Sequence, residues 1–140
     1  GSRVTKDFGR LNRYEVAQTG EKIAIIGLGT FFELAREAAK ILKEEAKINA
    51  TVINPYYITG LDEALLTKLK QNHNTVITLE DGILDGGFGE KIARFYGASN
   101  MEVMNYGLKK EFLDRYDVDA VLKENHLTAE QIVEDVLSIL

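Results

Sequence analysis

The sequence predicts an α/β fold: a three-layer α/β/α sandwich built on a mostly parallel sheet. Short apolar or β-branched runs alternate along the chain with longer segments of helical period, and the connections between them are short. The run Ile23-Ala24-Ile25-Ile26-Gly27-Leu28 is apolar without a break, as expected of a strand covered by helices on both faces. The chain has 140 residues, 45% of them hydrophobic and 28% charged, a composition that fits one globular domain. A chain near this size buries roughly 68–70% of its unfolded surface and needs no disulfide or metal staple.

Residues 1–13 lack apolar periodicity and read as a linker or the tail of something upstream, so the domain is expected over residues 14–140. Tyr14 to Gln18 puts Tyr14 and Val16 on one face of a half-buried edge strand, ended by Thr19-Gly20. After the second strand, Gly29 turns the chain. Thr30-Phe31-Phe32-Glu33 has capping-box spacing, in which hydroxyl and carboxylate each satisfy a free amide. Phe31, Leu34, Ala38, Ile41 and Leu42 then share one helix face. Ala50 to Ile53 reads as a short strand ended by Asn54-Pro55, and Asp62 can cap a helix burying Leu65, Leu66 and Leu69. Asn72-His73-Asn74 reads as a polar turn, followed by the strand Val76 to Leu79. A loop over Glu80 to Gly89 leads into a helix that buries Phe88, Ile92, Phe95 and Tyr96. Met101 to Tyr106 is the next strand. Thr128-Ala129-Glu130-Gln131 is a second capping box, opening a helix with an apolar stripe from Ala129 to Leu140.

The formal net charge is −5, and residues 1–13, with four basic side chains against Asp7, carry +3, leaving −8 for the rest. An acidic body repels nucleic acid and anionic membranes, so neither is an expected partner. The absence of cysteine excludes disulfides, thiolate metal sites and cysteine nucleophiles. The apolar runs fall well short of the ~20 residues that span a bilayer, and a cytoplasmic protein is expected. His73 and His126, each beside an asparagine, read as exposed turn residues and give zinc little support. No serine lies on a glycine elbow.

In an open α/β sheet, ligands sit beyond the carboxyl ends of the strands. Gly27-x-Gly29 there is followed by Phe32 rather than the third glycine of a dinucleotide fingerprint, and reads as a tight turn. Gly86-Gly87-Phe88-Gly89 opens a helix whose free amides can hold an anion, but Glu80, Asp81, Asp85 and Glu90 crowd the same stretch. Close packing of the glycine backbone against another surface, with Phe88 beneath, is the preferred reading. Glu80 and Asp81, adjacent at a strand end, point to opposite sides and read as solvated loop charges or interface ion pairs rather than a metal site. Tyr56-Tyr57 is the one aromatic pair at this edge, suited to stacking on a partner or to packing. No catalytic, cofactor-binding or metal-binding residue is assigned. The candidate interface comprises Tyr56, Tyr57, Gly86, Gly87, Phe88 and Gly89.

The ordered string of features resembles the C-terminal domain of 1-deoxy-D-xylulose-5-phosphate synthases. The resemblance runs through Arg13-Tyr14-Glu15-Val16, Lys22-Ile23-Ala24-Ile25, Gly29-Thr30, Ala50-Thr51-Val52-Ile53-Asn54, Leu61-Asp62-Glu63, Thr78-Leu79-Glu80-Asp81, Tyr106-Gly107-Leu108 and Phe112. It is strongest at Gly86-Gly87-Phe88-Gly89-Glu90-Lys91. It implies a five-stranded mixed sheet whose first strand is an antiparallel edge. It implies as parent a homodimeric transketolase-type transferase, dependent on thiamine diphosphate and magnesium. That enzyme condenses pyruvate with glyceraldehyde 3-phosphate, losing carbon dioxide, at the head of the non-mevalonate isoprenoid route, and also feeds thiamine synthesis. The resemblance places the cofactor site in upstream domains and leaves this one an assembly domain, silent alone. The chain departs from the family at Tyr56, Thr59 and Gly60, where an arginine and a Lys-Pro are common, and at Lys109-Lys110, where Pro-Asp is common. The alternatives are the C-terminal domain of a transketolase or of a 2-oxo acid dehydrogenase beta subunit, or a free-standing nucleotide-binding module.

Overall fold

The computed structural model describes residues 12–83, 86–108 and 117–140. The expected linker over residues 1–13 therefore lies outside the described residues except for Asn12 and Arg13, as do Asp85, Lys109, Lys110 and Phe112. The elements in chain order are β1 (Glu15–Gln18), β2 (Lys22–Gly27), a 3-10 turn (Gly29–Phe31), α1 (Phe32–Ala46), β3 (Thr51–Asn54), α2 (Glu63–Leu69), β4 (His73–Ile83), α3 (Phe88–Tyr96), β5 (Glu102–Leu108), α4 (Val118–Glu124) and α5 (Ala129–Ile139). The five strands form one sheet in the order β1-β3-β2-β4-β5. β1 runs antiparallel to β3, and the other pairs are parallel. The three-layer sandwich, with its antiparallel edge, is the expected one.

Side chains alternate across a strand, and two cores follow. Ile23, Ile25, Val52, Ile77 and Leu79 face α1 and α5, packing on Ala35, Ala38, Ala39, Leu42, Ile132, Val133 and Val136. Ala24, Ile26, Ile53 and Val76 face α2 and α3, packing on Leu66, Leu69, Phe88, Ile92 and Tyr96. Ile25 stands opposite Val52 on one side and Ile77 on the other, so the unbroken apolar run is the sheet's centre. Small alanines on α1 let that helix lie close to the strands. The Tyr96 hydroxyl donates to the Leu66 carbonyl at 2.7 Å, tying α3 to α2.

Several local expectations are corrected. The Thr30–Glu33 capping box does not form: α1 begins after the 3-10 turn, its N-cap is Phe31, and no side chain caps it. Gly29 at φ +60 starts that tighter turn and carries Thr30 past the cap position. Tyr14 and Val16 do not share a half-buried face, because Tyr14 precedes β1 and is buried while Val16 is exposed. The turn before β4 ends at Asn72, and His73 opens the strand opposite Lys22. Its ring lies within hydrogen-bonding distance of Thr51 Oγ1, at 2.7 Å, and of the Leu69 carbonyl, at 3.1 Å. Burial pushes its pKa down, so it is a satisfied structural histidine rather than an exposed turn residue. β4 continues through Ile83, which pairs with Leu108 beyond a break in register, so the expected loop is shorter. Helix α4 was not predicted. Its signal was Asp117, whose carboxylate accepts from the Ala120 amide at 3.1 Å.

Other sequence signals are realised. Thr128 caps α5, its hydroxyl accepting from the Gln131 amide at 3.3 Å, although Gln131 returns its side chain to that hydroxyl and to the Lys123 carbonyl rather than to the Thr128 amide. Asp62 caps α2 through the Leu65 amide at 3.2 Å and with its other oxygen accepts from the Tyr14 amide at 2.9 Å. One carboxylate thus joins the domain's entrance to a helix start. Replacing Asp62 by alanine is expected to cost about 1–2 kcal/mol, somewhat more than a simple cap, read as a lowered urea midpoint with an unchanged m-value. Among the described residues no helix is long and apolar enough to cross a membrane.

Candidate functional site at the carboxyl edge of the sheet

The turn after β2 leads to α1 on one face of the sheet, whereas the turn after β4 leads to α3 on the other. The crevice where such turns diverge is the usual ligand position of this architecture. Here the chain fills it with its own groups. Leu28, Glu80 and Phe88, all buried, stand at it, and the Leu28 amide donates to the Leu79 carbonyl at 2.9 Å.

Glu80 is the central group. It is 3% exposed, and its carboxylate accepts from the Phe88 amide at 3.1 Å and from the Gly89 amide at 2.6 Å. The free amides at the start of α3, a ready anion cradle, are satisfied by a side chain from the neighbouring strand. Burial raises the Glu80 pKa, and Asp81 and Glu90 nearby add to the rise, while the two amide bonds act against it. The reading of Glu80 as a solvated loop charge is therefore corrected. A phosphate at the glycine turn would find its position taken by a carboxylate, which removes the basis for a nucleotide-binding module. Glu90 reaches back to the Gly86 amide, adding a second acid to the same turn.

The glycine segment packs as expected at one position. A Cβ on Gly89 would lie 2.6 Å from Thr78 Oγ1 and 2.7 Å from Asn105 Oδ1, two groups hydrogen-bonded to each other at 2.7 Å. Gly89 is therefore where α3 presses onto β4 and β5. Phe88 is buried beneath, its ring centroid 6.2 Å from that of Tyr14. Gly86, at φ +71, faces open space and is exposed.

Tyr56 and Tyr57 stand at the end of β3, separated from the glycine segment by β2. Both are exposed, at 49% and 76%. The Tyr57 ring lies over Gly29, where a Cβ would come within 2.9 Å of its Cε1. Lys91 of α3 donates to the Thr59 carbonyl at 3.3 Å, which links the loop after the tyrosines to the helix that the glycine segment opens. Sequence reasoning missed Tyr14, whose hydroxyl donates to the Gly60 carbonyl at 2.5 Å and whose pKa is pushed up to about 12, mainly by burial. Among the described residues no group of three or more His, Cys, Asp or Glu is placed to hold a metal ion, and the glycine turn, closed by Glu80, does not fit a diphosphate.

The family model for the transketolase C-terminal domain matches residues 12–132. A 1-deoxy-D-xylulose-5-phosphate synthase of Symbiobacterium thermophilum is 36% identical over 126 residues, covering 89% of this chain and 19% of that protein. A protein of the same name from Francisella tularensis subsp. novicida is 31% identical over 140 residues, covering 96% and 22%. The chain thus spans about a fifth of the length of the curated relatives it matches. Among solved structures, a split-gene transketolase described as an inactive beta4 tetramer superposes with a TM-score of 0.80 at 28% identity, over 91% of this chain and 42% of that one. A 2-oxoglutarate:ferredoxin oxidoreductase from Magnetococcus marinus shares the fold, with a TM-score of 0.58 at 19% identity over 97% of this chain and 22% of that one.

Proposed function

The chain belongs to the transketolase C-terminal domain family, and on that premise we propose that it is the assembly domain of a 1-deoxy-D-xylulose-5-phosphate synthase. The parent is a cytoplasmic homodimer that condenses pyruvate with glyceraldehyde 3-phosphate using thiamine diphosphate and magnesium held by its upstream domains. The curated relatives carry that name and are about five times longer than the matched segment, so the chemistry of such a protein has ample room outside this domain. The split-gene transketolase described as an inactive beta4 tetramer supports a fragment that is silent until joined to the rest.

One observation carries the docking role: Glu80 fills the anion position at the start of α3. A glycine edge closed to phosphate yet carrying exposed tyrosines beside it suits contact with polypeptide. Tyr56, Tyr57, Gly86 and Gly87 form this contact, while Phe88 and Gly89 are buried within the domain beneath it. The reading is tested by expressing the upstream thiamine-diphosphate-binding polypeptide of the same parent separately and mixing it with residues 1–140. Synthase activity on pyruvate and glyceraldehyde 3-phosphate is expected from the mixture and from neither part alone. Association without formation of deoxyxylulose phosphate would refute the assignment of the parent.

A further inference from the structure

Among the described residues, four that are not glycine have positive φ: Lys22, Lys47, Tyr56 and His126. Lys47 and His126 end helices, where the left-handed conformation is ordinary. Lys22 sits at a break in strand register. Tyr56, at φ +57, is a bulky aromatic in the turn closed by the Ile58 amide on the Pro55 carbonyl at 3.0 Å, and a genuine outlier.

The fold holds it there from both sides. Its amide donates to Asn54 Oδ1 at 2.7 Å, and its carbonyl accepts from the Gly29 amide at 2.7 Å. What this achieves is display, since the side chain is half exposed, with its phenol beside the Glu15 carboxylate, which pushes the tyrosine pKa up. Tyr57 follows, still more exposed and braced on Gly29. Backbone strain that the surroundings over-determine marks function more often than packing. Exposed tyrosines with few rotatable bonds lose little freedom on contact and are favoured as interface anchors.

The chain's own path indicates what covers them. Asn12 lies against Gly60, and Tyr14 binds the Gly60 carbonyl and the Asp62 carboxylate. Residues 12–14 therefore lie against the same loop, residues 55–62, that carries both tyrosines. The curated relatives are about five times longer than this match, length enough for further domains joined beside that loop.

We infer that Tyr56 and Tyr57 are the anchor by which the preceding thiamine-diphosphate-binding domain is seated, with Tyr56 pre-organised by its strained backbone. This rests on the docking reading above and goes beyond it by placing the binding energy on the tyrosine side of the edge rather than on the glycine side. The probe is the separately expressed upstream polypeptide, titrated calorimetrically with wild type, Tyr56→Gly and Tyr57→Ala. Tyr56→Gly relieves the positive φ while removing the ring, so its melting temperature is expected to equal or exceed that of wild type. Its association is nonetheless expected to weaken by about tenfold or more, the loss expected of an anchor residue. If Tyr56→Gly and Tyr57→Ala bind as wild type does, the anchor is overturned and the docking edge stands. A wild-type chain that does not bind at all overturns the docking reading itself.

Discussion

Replacing Glu80 by alanine is expected to cost the fold about 3 kcal/mol, measured by urea unfolding of the 140-residue chain. Two buried amides, those of Phe88 and Gly89, would lose their acceptor, and each unpaired buried donor costs about 1–3 kcal/mol. A cavity left where the side chain was buried adds to this. Glutamine is expected to cost less, about 1 kcal/mol, because its one carbonyl oxygen still serves one amide while its NH2 group faces the other. The two variants also separate in their pH dependence. Because burial raises the Glu80 pKa in the fold, this group favours folding most fully when pH lies below its unfolded carboxylate range. That contribution is lost as pH rises through the higher folded value. The stability gap between wild type and Glu80→Gln should therefore widen on acidification from pH 7 into the carboxylate range. A gap that narrows would mean that the amide bonds outweigh burial.

The second large effect belongs to Gly89. Its Cβ would collide with Thr78 Oγ1 and Asn105 Oδ1. Thr78 is fully buried on a central strand, and neither side chain is long enough to swing away. Helix α3 must then retreat from β4 and β5, so Gly89→Ala is expected to cost about 2–3 kcal/mol, at the upper end for overpacking. Gly86→Ala, three residues earlier, meets no atom within 4 Å and is opposed only by its φ of +71, a cost of about 1 kcal/mol. Thermal unfolding of the pair distinguishes close approach from mere backbone freedom. Equal losses would contradict the packing described for the helix start.

Much of the frame was legible because it rests on local pattern. The unbroken apolar run at Ile23 required a central strand, and Asp62 and Thr128 carry oxygen acceptors at the spacing a helix start needs. The stripe from Ala129 to Val136 has one-sided helical period. What escaped depends on partners distant in sequence. By residue type alone Glu80 is not distinguished from Asp81 or Glu90, since each is a carboxylate in a glycine-rich stretch. Counting by two from Val76 through Thr78 places Glu80 on the α3 side of the sheet, a signal available had the strand been extended past Leu79. His73 resembles a turn residue until register sets it opposite Lys22 and beside Thr51. Thr30 has the spacing of a cap, yet the 3-10 turn from Gly29 supersedes it. The strain at Tyr56 was foreshadowed by Asn54, a residue that readily binds the amide two positions on. The bond to its carbonyl that completes it comes from the Gly29 amide in the turn after β2.

The carboxyl edge of this sheet is proposed above as a seam for preceding polypeptide. Amide hydrogen exchange of residues 1–140, recorded with and without the proposed upstream polypeptide, tests it most directly. Slowed exchange is expected at Tyr56, Tyr57, Gly86 and Gly87, with the outer faces of α1 and α5 unchanged. Protection confined to the α1 and α5 faces, leaving the tyrosines and glycines as fast as in the isolated chain, would contradict the account.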